Sequence, residues 1–292
     1  MTSATARPPA SPLPPRLIAT DLDGTLLRDD KSVSERTVAA LAAAEAAGIE
    51  VFFVTGRPAR WMDVVADHVH GHGLAICANG AAVVDLHGGP GDHRFTKVRE
   101  LPTASALDVV RLLRAAAPGT SFAVDRTGGV HHEPAYPPLR LDPAISVAPA
   151  EKLLAPDAAA GDGPVLKLLA HHPTLTPDAF LALARAAAGG LAEITRSSPT
   201  ALLEISGPGV TKAGTLALCC AERGISPEEV VAFGDMPNDV EMLTWAGVSY
   251  AMGNAHPDVV AAASGRTVAN NDDGVAVVIE RILENRLSTY GS

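Results

Sequence analysis

Five short apolar runs, each followed by glycine or acidic residues, constrain the fold of this chain of 292 residues more than any other feature. The runs are continuous rather than alternating, which is typical of strands that are buried on both faces of a parallel sheet. They cover residues 17–20, 51–54, 74–77, 230–233 and 250–252. The chain therefore has the strand pattern of an α/β fold.

Helical patterns lie between these runs. Ser32 and Glu35 have the spacing of a capping box, and an apolar stripe from position 38 to position 46 ends before Gly48, a suitable C′ residue. Pro58 suits the first turn of a second helix, and the Ser-Pro-Glu-Glu run at 226–229 suits the start of another. Further helices are predicted at 212–223, 239–246 and 274–286. This alternation of strands and helices predicts a parallel sheet with helices on both faces.

The middle of the chain has a different pattern, in which strands, helices and Gly/Pro-rich loops are mixed. Helices are predicted at 107–117 and 177–188, and strands at 121–124, 165–169 and 192–195. We interpret residues 86–205 as a small α+β domain inserted into a catalytic core formed by 16–85 and 206–292. Residues 1–15 contain five prolines and little apolar surface, so we expect a disordered tail.

Composition narrows the classes of partner. The formal net charge is -10 and lysine and arginine are not clustered, so we expect no nucleic-acid partner. We expect no membrane partner either, because the sequence has no basic amphipathic face and no apolar run near the ~18 residues of a membrane span. Cys77, Cys219 and Cys220 fit buried thiols in a reducing compartment, so the expected location is cytoplasmic.

Acidic residues follow two of the predicted strands. Asp21 and Asp23 are two residues apart, so in an extended chain both carboxylates lie on one side and repel each other. A hard cation such as Mg²⁺ relieves this repulsion, and Asp235 at the end of another strand is placed to complete the site. Asp239 falls at a helix start. The alternatives are turn-forming aspartates and a favourable partner for the helix dipole.

Groups that bind phosphate occur at the same strand ends. Thr55 and Gly56 form a strand-to-helix turn whose hydroxyl and amides suit a phosphate, although Thr55 also suits an N-cap. Lys212 lies in the first turn of a helix, where a cation is unfavourable because it opposes the helix dipole. Either the lysine is merely solvated, or an anion lies between it and the aspartates. Together these residues are suited to phosphoryl transfer, with Asp21 as nucleophile, Asp23 as acid and base, and Lys212 stabilising the phosphoryl oxygens.

These motifs, in this order, resemble the haloacid dehalogenase (HAD) superfamily, specifically its Cof-type phosphatases with an α/β (C2B) cap. The matching stretches are 21–26, 54–57, 209–214 and 234–239, with support from 77–80, 203–205, 251–255 and 270–275. The resemblance implies an α/β fold, in which a Rossmann-like parallel-sheet core carries an inserted α+β cap domain. It also implies a Mg²⁺-dependent phosphatase that forms an aspartyl-phosphate.

The resemblance further implies which residues form each part of the site. Mg²⁺ would be bound by Asp21, the backbone carbonyl of Asp23 and Asp235, with Asp239 in support. The residues implied for phosphate binding are the Leu22 backbone, Thr55, Gly56, Lys212 and Asn238. An aspartate at position 23, two residues after the nucleophile, is the family pattern of phosphatases and phosphomutases rather than dehalogenases.

Other functions remain open from the sequence. Two of them are a sugar phosphomutase of the same superfamily and a non-catalytic phosphate-binding relative. The third is a signalling receiver domain, although this chain is far longer than such domains usually are. The expected substrate is a small phosphorylated metabolite, such as a sugar phosphate, and the sequence leaves its identity and the oligomeric state open. Within the cap, His131, His132 and Glu133 are the first polar group we expect to select the substrate, with a solvated loop as the alternative.

Overall fold

A computed structural model describes residues 13–66, 73–137, 142–155, 162–196 and 200–290. Numbered in chain order, the strands are β1 (Leu17–Thr20), β2 (Glu50–Val54), β3 (Leu74–Cys77), β4 (Ala82–Asp85), β5 (Arg94–Val98), β6 (Ser121–Arg126), β7 (Gly129–His132), β8 (Ser146–Val147), β9 (Val165–His171), β10 (Glu193–Thr195), β11 (Leu202–Ser206), β12 (Val230–Gly234), β13 (Val248–Ala251) and β14 (Gly265–Arg266). The α-helices are α1 (Glu35–Ala46), α2 (Asp63–Ala66), α3 (Thr103–Ala116), α4 (Ala150–Leu153), α5 (Pro177–Ala188), α6 (Lys212–Glu222), α7 (Val240–Trp245), α8 (Pro257–Ala262) and α9 (Gly274–Tyr290). Short 3₁₀ turns occur at Ala59–Trp61, Ala78–Gly80, Pro227–Glu229, Pro237–Asp239 and Asn270–Asp272.

The first sheet has the order β14-β13-β12-β1-β2-β3-β4-β5 and contains all five strands predicted from the apolar runs. Its pairs are parallel from β14 to β3, and β4 and β5 add an antiparallel edge that the sequence did not predict. The register places β1 between β12 and β2, with Leu17 beside both Val230 and Glu50. The predicted α/β fold with a parallel-sheet core is confirmed.

Helices cover both faces of the first sheet. Ile18 of β1 packs in a cluster with residues of α1 and α9, such as Leu41 and Ile279. Its neighbour Leu17 packs in a second cluster with α6, α7 and α8, which includes Leu216. Alternate residues of one strand thus enter two different cores, which explains why the strand sequences are apolar throughout. The three cysteines are buried free thiols, as predicted.

The second sheet has the order β10-β11-β9-β6-β7-β8 and is formed by the inserted part of the chain. Helices α3 and α5 pack against one face, where Phe122 and Phe180 are fully buried in a separate core. The predicted insert of 86–205 includes β5, which pairs with β4 of the first sheet, and it stops one residue before β11 ends. We therefore propose that the insert begins after Val98 and ends at Ser206.

Some predicted helix starts are different in the structure. Ser34, not Ser32, caps α1, because its hydroxyl accepts the Thr37 amide at 3.0 Å. The helix predicted at Pro58 is a single 3₁₀ turn, Ala59–Trp61, before the four-residue α2. The capping box at Ser226 and Glu229 is confirmed, but its turn, Pro227–Glu229, leads directly into β12.

The described residues include no helix that is long and apolar enough to cross a membrane. Most of the predicted tail, residues 1–12, lies outside the described residues.

Gly80 ends the turn after β3 with a φ of 102°, and a Cβ there would lie 2.3 Å from the Thr211 carbonyl oxygen. Gly48 after α1 has a φ of 76°, and a Cβ there would meet no other atom within 4 Å. We expect Gly48→Ala to lower the free energy of unfolding by about 1–2 kcal/mol, from the left-handed backbone alone. Gly80→Ala should cost at least about 2 kcal/mol more, because it adds a backbone clash. Equal losses in urea denaturation would contradict the packing assigned to Gly80.

Candidate active site

Three buried carboxylates meet at the carboxyl ends of β1 and β12. Asp21 follows β1, Asp235 follows β12, and Asp239 ends the next turn, Pro237–Asp239. One oxygen of each lies within 4.8 Å of the others. The two strands are adjacent and parallel, and the Asp21 amide donates to the Phe233 carbonyl at 3.1 Å. Sheet topology thus brings together residues more than 200 positions apart in the chain.

Lys212 is the cation of this cluster. Thr211 caps α6 by accepting the Gly214 amide, so Lys212 is the first helical residue and points back to the strand ends. Its Nζ lies 2.6 Å from Asp21 Oδ1 and 2.7 Å from Asp239 Oδ1, and only 1% of the side chain is exposed. The sequence predicted an anion between Lys212 and the aspartates. In the structure the ammonium contacts two of the carboxylates directly.

Asp239 also orders the backbone of its own turn. Its Oδ2 accepts the amides of Asp235 and Met236, both at 3.0 Å, so one carboxylate both binds Lys212 and fixes the loop that carries Asp235. Gly234 permits this approach, because a Cβ there would lie 2.5 Å from the Asp239 Cβ. Asp235 itself accepts the Thr25 hydroxyl at 3.1 Å.

The cluster carries more negative than positive charge. Three carboxylates face one ammonium, which leaves two negative charges uncompensated when all three are ionised. Burial raises the pKa of Asp21 well above its usual value, and Asp239 and Asp235 raise it further against the attraction of Lys212. Burial, followed by Asp239, raises the pKa of Asp235 to about 7. Burial lowers the pKa of Lys212, but Asp21 and Asp239 outweigh it and raise the pKa above its usual value.

The Asp23 side chain points away from this cluster. It accepts Arg57 Nε at 2.5 Å and Arg57 Nη2 and Lys31 Nζ at 2.8 Å. Burial raises the pKa of Asp23, but the hydrogen bonds from Arg57 and Lys31 prevail and lower it to about 2. Of the four predicted metal-site residues, three therefore converge through their carboxylates. Asp23 remains next to them through its backbone.

The predicted phosphate-binding residues lie around Asp21. Leu22 separates the two aspartates, with its side chain buried, and the Thr55 hydroxyl accepts the Arg57 amide at 3.1 Å. Asn238 donates to Asn79 Oδ1 at 3.1 Å, and its own Oδ1 is buried without a hydrogen-bond partner among the described residues. Thr55, Gly56 and Asn238 line the same cavity as Asp21.

A cavity of about 350 Å³ opens above these residues, and residues of the second sheet line its other side. Asp21, Thr55, Gly56 and Asn238 line it from the first sheet. From the second sheet and its loops it is lined by Asp125, Val130, Asp142, Lys167, Leu169, Leu202 and Glu204. Within the described part of the chain, Asp235, Asp239 and Lys212 do not line this cavity, so they support Asp21 from behind.

Most of the lining residues were not predicted as site residues, and four of them, Arg60, Trp61, Lys167 and Glu204, contribute a charged or aromatic side chain. Arg60 bridges the two sheets, since its Nη1 donates to Asp125 at 2.8 Å and its Nε to Asp142 at 2.9 Å. Lys167 and Glu204 form a buried ion pair at 2.8 Å. Their signal in the sequence is a single charge inside an apolar strand, Leu-Lys-Leu in β9 and Leu-Glu-Ile in β11.

The prediction for His131, His132 and Glu133 is wrong. The two histidines belong to β7, and Glu133, which is 7% exposed, accepts the amides of Phe122 at 3.0 Å and Ala150 at 2.8 Å. His131 is buried against Ser146. Among the described residues that line the cavity, β7 contributes Val130 instead. The three polar residues hold the inserted domain together, and they form neither a substrate-selecting loop nor a solvated one.

The model of the haloacid dehalogenase-like hydrolase family matches residues 18–279. The chain belongs to this family. It is 30% identical over 273 residues to the 5-amino-6-(5-phospho-D-ribitylamino)uracil phosphatase YitU of Bacillus subtilis, covering 90% of this chain and 95% of that one. It is 29% identical over 276 residues to the pyridoxal phosphate phosphatase YbhA of Escherichia coli, covering 90% and 97%.

A solved structure has the same fold. The HAD-superfamily phosphatase BT1666 of Bacteroides thetaiotaomicron superposes with a TM-score of 0.76 at 23% identity, over 96% of this chain and 99% of that chain. The predicted membership of the Cof-type HAD phosphatases is confirmed, and the chain is a phosphatase of this family.

The charge imbalance predicts how a divalent cation affects stability at different pH values. Because the pKa of Asp235 is raised from about 3.8 to about 7, the metal-free protein loses stability as pH rises across this interval. A cation offsets this loss, but at lower pH it must first displace protons. We expect Mg²⁺ to raise the melting temperature more at about pH 8 than at about pH 6.

The control is Asp235→Asn, in which the pH dependence of the Mg²⁺ effect should shrink. An equal Mg²⁺ effect at both pH values in the unsubstituted protein would contradict the assignment of the carboxylates as its ligands.

Proposed function

We propose that this phosphatase depends on Mg²⁺ and hydrolyses small phosphorylated metabolites through an aspartyl-phosphate on Asp21. The observation that carries the proposal is the cluster of Asp21, Asp235 and Asp239 around Lys212, buried beneath a cavity of small-molecule size. Carboxylates that are buried this closely require positive charge, and the phosphoryl group of a substrate brings further negative charge to the same place.

The residues at the strand ends fit Mg²⁺. The donor set consists of oxygens, which hard cations prefer, and Asp21 and Asp235 would bind the ion, with Asp239 in support. The turn that follows Asp23 is packed against this set, because a Cβ at Gly24 would lie 2.2 Å from Asp235 Oδ2. The proximity of this turn to Asp235 supports a contribution of the Asp23 carbonyl oxygen to Mg²⁺ binding. When bound, Mg²⁺ would neutralise charge on the carboxylates and on the transferring phosphoryl group.

Asp21 is the proposed nucleophile. Lys212 holds its Oδ1 at 2.6 Å, which orients the carboxylate and leaves Oδ2 for attack. In the first step an Asp21 oxygen forms a bond to phosphorus, the bond from phosphorus to the leaving oxygen breaks, and that oxygen takes a proton from Asp23. In the second step water attacks phosphorus, Asp23 takes its proton, and the Asp21 carboxylate is released with phosphate.

Asp23 must change partners during this cycle. Its pKa of about 2 keeps it ionised while Arg57 and Lys31 bind it, so in this arrangement it is a weak base and holds no proton to donate. Donation of a proton in the first step requires that the carboxyl leaves both cations when substrate enters. Part of the Asp23 side chain, 42%, is exposed, so this movement does not require the buried core to open.

Thr55, Gly56 and Asn238 are the proposed phosphate ligands. All three line the cavity together with Asp21, and the half-buried Asn238 amide, the Thr55 hydroxyl and the Gly56 amide provide neutral donors. Neutral donors can bind the phosphoryl oxygens beside Lys212 without adding a further buried charge to the cluster.

The cavity supports a leaving group that carries hydroxyls. Its upper wall presents the carboxylates of Asp125 and Asp142, which accept hydrogen bonds from hydroxyls, and Trp61 adds an apolar surface. The named relatives act on a phosphorylated ribityl compound and on pyridoxal phosphate. We propose a substrate of this size and type, a phosphorylated polyol, sugar or hydroxylated heterocycle.

Replacement of the nucleophile is the first test. Asp21→Asn keeps the size of the side chain but lowers nucleophilicity, so we expect phosphate release to fall below about one-thousandth of the original rate. The control is Asp258→Asn, an exposed carboxyl in the first turn of α8 outside the cavity, which should keep full activity. Retention of more than about a few per cent of activity by Asp21→Asn would exclude Asp21 as the nucleophile.

Replacement of the acid and base should separate catalysis from metal binding. We expect Asp23→Asn to lower kcat by about 10²–10⁴-fold, because it removes proton transfer. The same variant should still be stabilised by Mg²⁺ in thermal denaturation, because the proposed metal contact of Asp23 is its backbone carbonyl. If metal stabilisation and kcat are lost together, the side chain is a metal ligand instead.

A further inference from the structure

The ion pair of Lys167 and Glu204 lies in the second sheet on the face turned toward the active site. Lys167 alternates along β9 with Leu168 and Ala170, which pack in the core under α3 and α5, so its side chain leaves the opposite face. Glu204 is in the adjacent strand, and Lys167 Nζ lies 2.8 Å from its Oε2. Both side chains are 6% exposed, so the pair is nearly removed from solvent.

Lys167 also contacts the first sheet. Its Nζ donates to the Gly56 carbonyl at 2.7 Å, across the boundary between the inserted domain and the catalytic core. Gly56 is packed tightly against both side chains, because a Cβ would lie 3.2 Å from Asn79 Oδ1 and 3.3 Å from Glu204 Oε2. The ion pair therefore sits directly on the turn whose amides we assign to phosphate binding.

Glu204 reaches the other side of the phosphate site through Asn79. The Asn79 amide donates to Glu204 Oε2, and Asn79 Oδ1 accepts from the Asn238 amide at 3.1 Å. Asn79 is 3% exposed and has a left-handed backbone with φ of 55°, held by the turn after β3. Glu204 Oε2 thus accepts hydrogen bonds from both Lys167 and Asn79. Lys167 links it to Gly56, and Asn79 links it to Asn238.

Stability alone does not account for this arrangement. Apolar side chains of similar volume often replace a buried ion pair without loss of stability, because the free energy needed to remove two charges from water is about as large as that gained from their attraction. Here Lys167 donates to Gly56 and Glu204 accepts from Asn79, and both of these partners border the proposed phosphate site. The contacts are therefore placed to fix those residues.

We propose that Lys167 and Glu204 are positioning residues for phosphate binding. When the inserted domain covers the core, Lys167 holds the Gly56 turn and Glu204, through Asn79, holds Asn238. Closure of the domain and affinity for the phosphoryl group are then coupled, so the phosphate site is complete only beneath the closed domain. This inference rests on the proposed function, because it assumes that Gly56 and Asn238 bind phosphate.

A second bridge between the domains provides the matched control. Arg60 binds Asp125 and Asp142, so it also joins the core to the inserted domain at the cavity. Its described hydrogen bonds go to those two carboxylates and not to Gly56, Asn79 or Asn238. Loss of this bridge should weaken binding of the leaving group, while Lys167 and Glu204 still hold the inserted domain against the phosphate ligands.

The test measures competitive inhibition by inorganic phosphate in the presence of Mg²⁺. The double variant Lys167→Met/Glu204→Gln neutralises the pair while keeping side-chain size, and Asn79→Gly cuts the second link while keeping the left-handed backbone. We expect each to raise the inhibition constant of phosphate about tenfold, as for the loss of hydrogen bonds to a charged group. The value of kcat/KM should fall by a similar factor for p-nitrophenyl phosphate and for ribose 5-phosphate.

Two further variants make the outcome decisive. Lys167→Arg retains a donor for Gly56 and Glu204 and should recover much of the phosphate affinity. Arg60→Met/Asp142→Asn should leave the inhibition constant of phosphate within about twofold of the original. A leaving-group role for the ion pair predicts an unchanged inhibition constant and unequal losses between the two substrates, and this result would overturn the proposal.

A purely structural role would also overturn it. In that case the melting temperature falls, while kcat, KM and the inhibition constant per folded molecule stay unchanged. If the double variant does not fold, Asn79→Gly still decides the question. Failure of the proposed function is distinguishable from failure of this inference. It appears as turnover that survives Asp21→Asn in a protein that keeps Lys167, Glu204 and Asn79.

Discussion

The contact of the buried Lys212 ammonium with Asp21 and Asp239 is the interaction on which the rest of the site depends. It offsets part of the repulsion among three carboxylates at the ends of β1 and β12. Without Lys212 those charges would be buried together without compensation, which costs several kcal/mol. With Lys212 the cluster still lacks positive charge, and this deficit is the physical basis of the proposal that it binds a divalent cation.

Each of the two sheets contributes a different set of residues to the proposed site. The first sheet brings Asp21 and Asp235 together, because parallel neighbouring strands end at one edge. The second sheet lines the cavity and adds Lys167 and Glu204, whose hydrogen bonds return to the core at Gly56 and Asn79. We propose that this domain limits the access of water to the aspartyl-phosphate, which would also strengthen the charge interactions beneath it.

The core of the fold and of the site is predictable from the sequence, because local patterns determine it. Strands β1 and β12 are continuous apolar runs, and the residues after them have the types and spacing that phosphoryl transfer needs. Strand β5 was not predictable, because it lies at the sheet edge and exposes alternate residues. The role of Glu133 was also missed, because its partners, the amides of Phe122 and Ala150, are joined to it by tertiary structure.

Direct detection of the phosphorylated enzyme tests the central claim, that the charge-compensated Asp21 is the residue that receives the phosphoryl group. The measurement is acid quenching during turnover with Mg²⁺, followed by mass spectrometry of the peptide that contains residues 17–28. We expect the added mass of one phosphoryl group on Asp21, with more label in Asp23→Asn if that change slows hydrolysis more than formation. Turnover without label on this peptide, or with label on another residue, would contradict the claim.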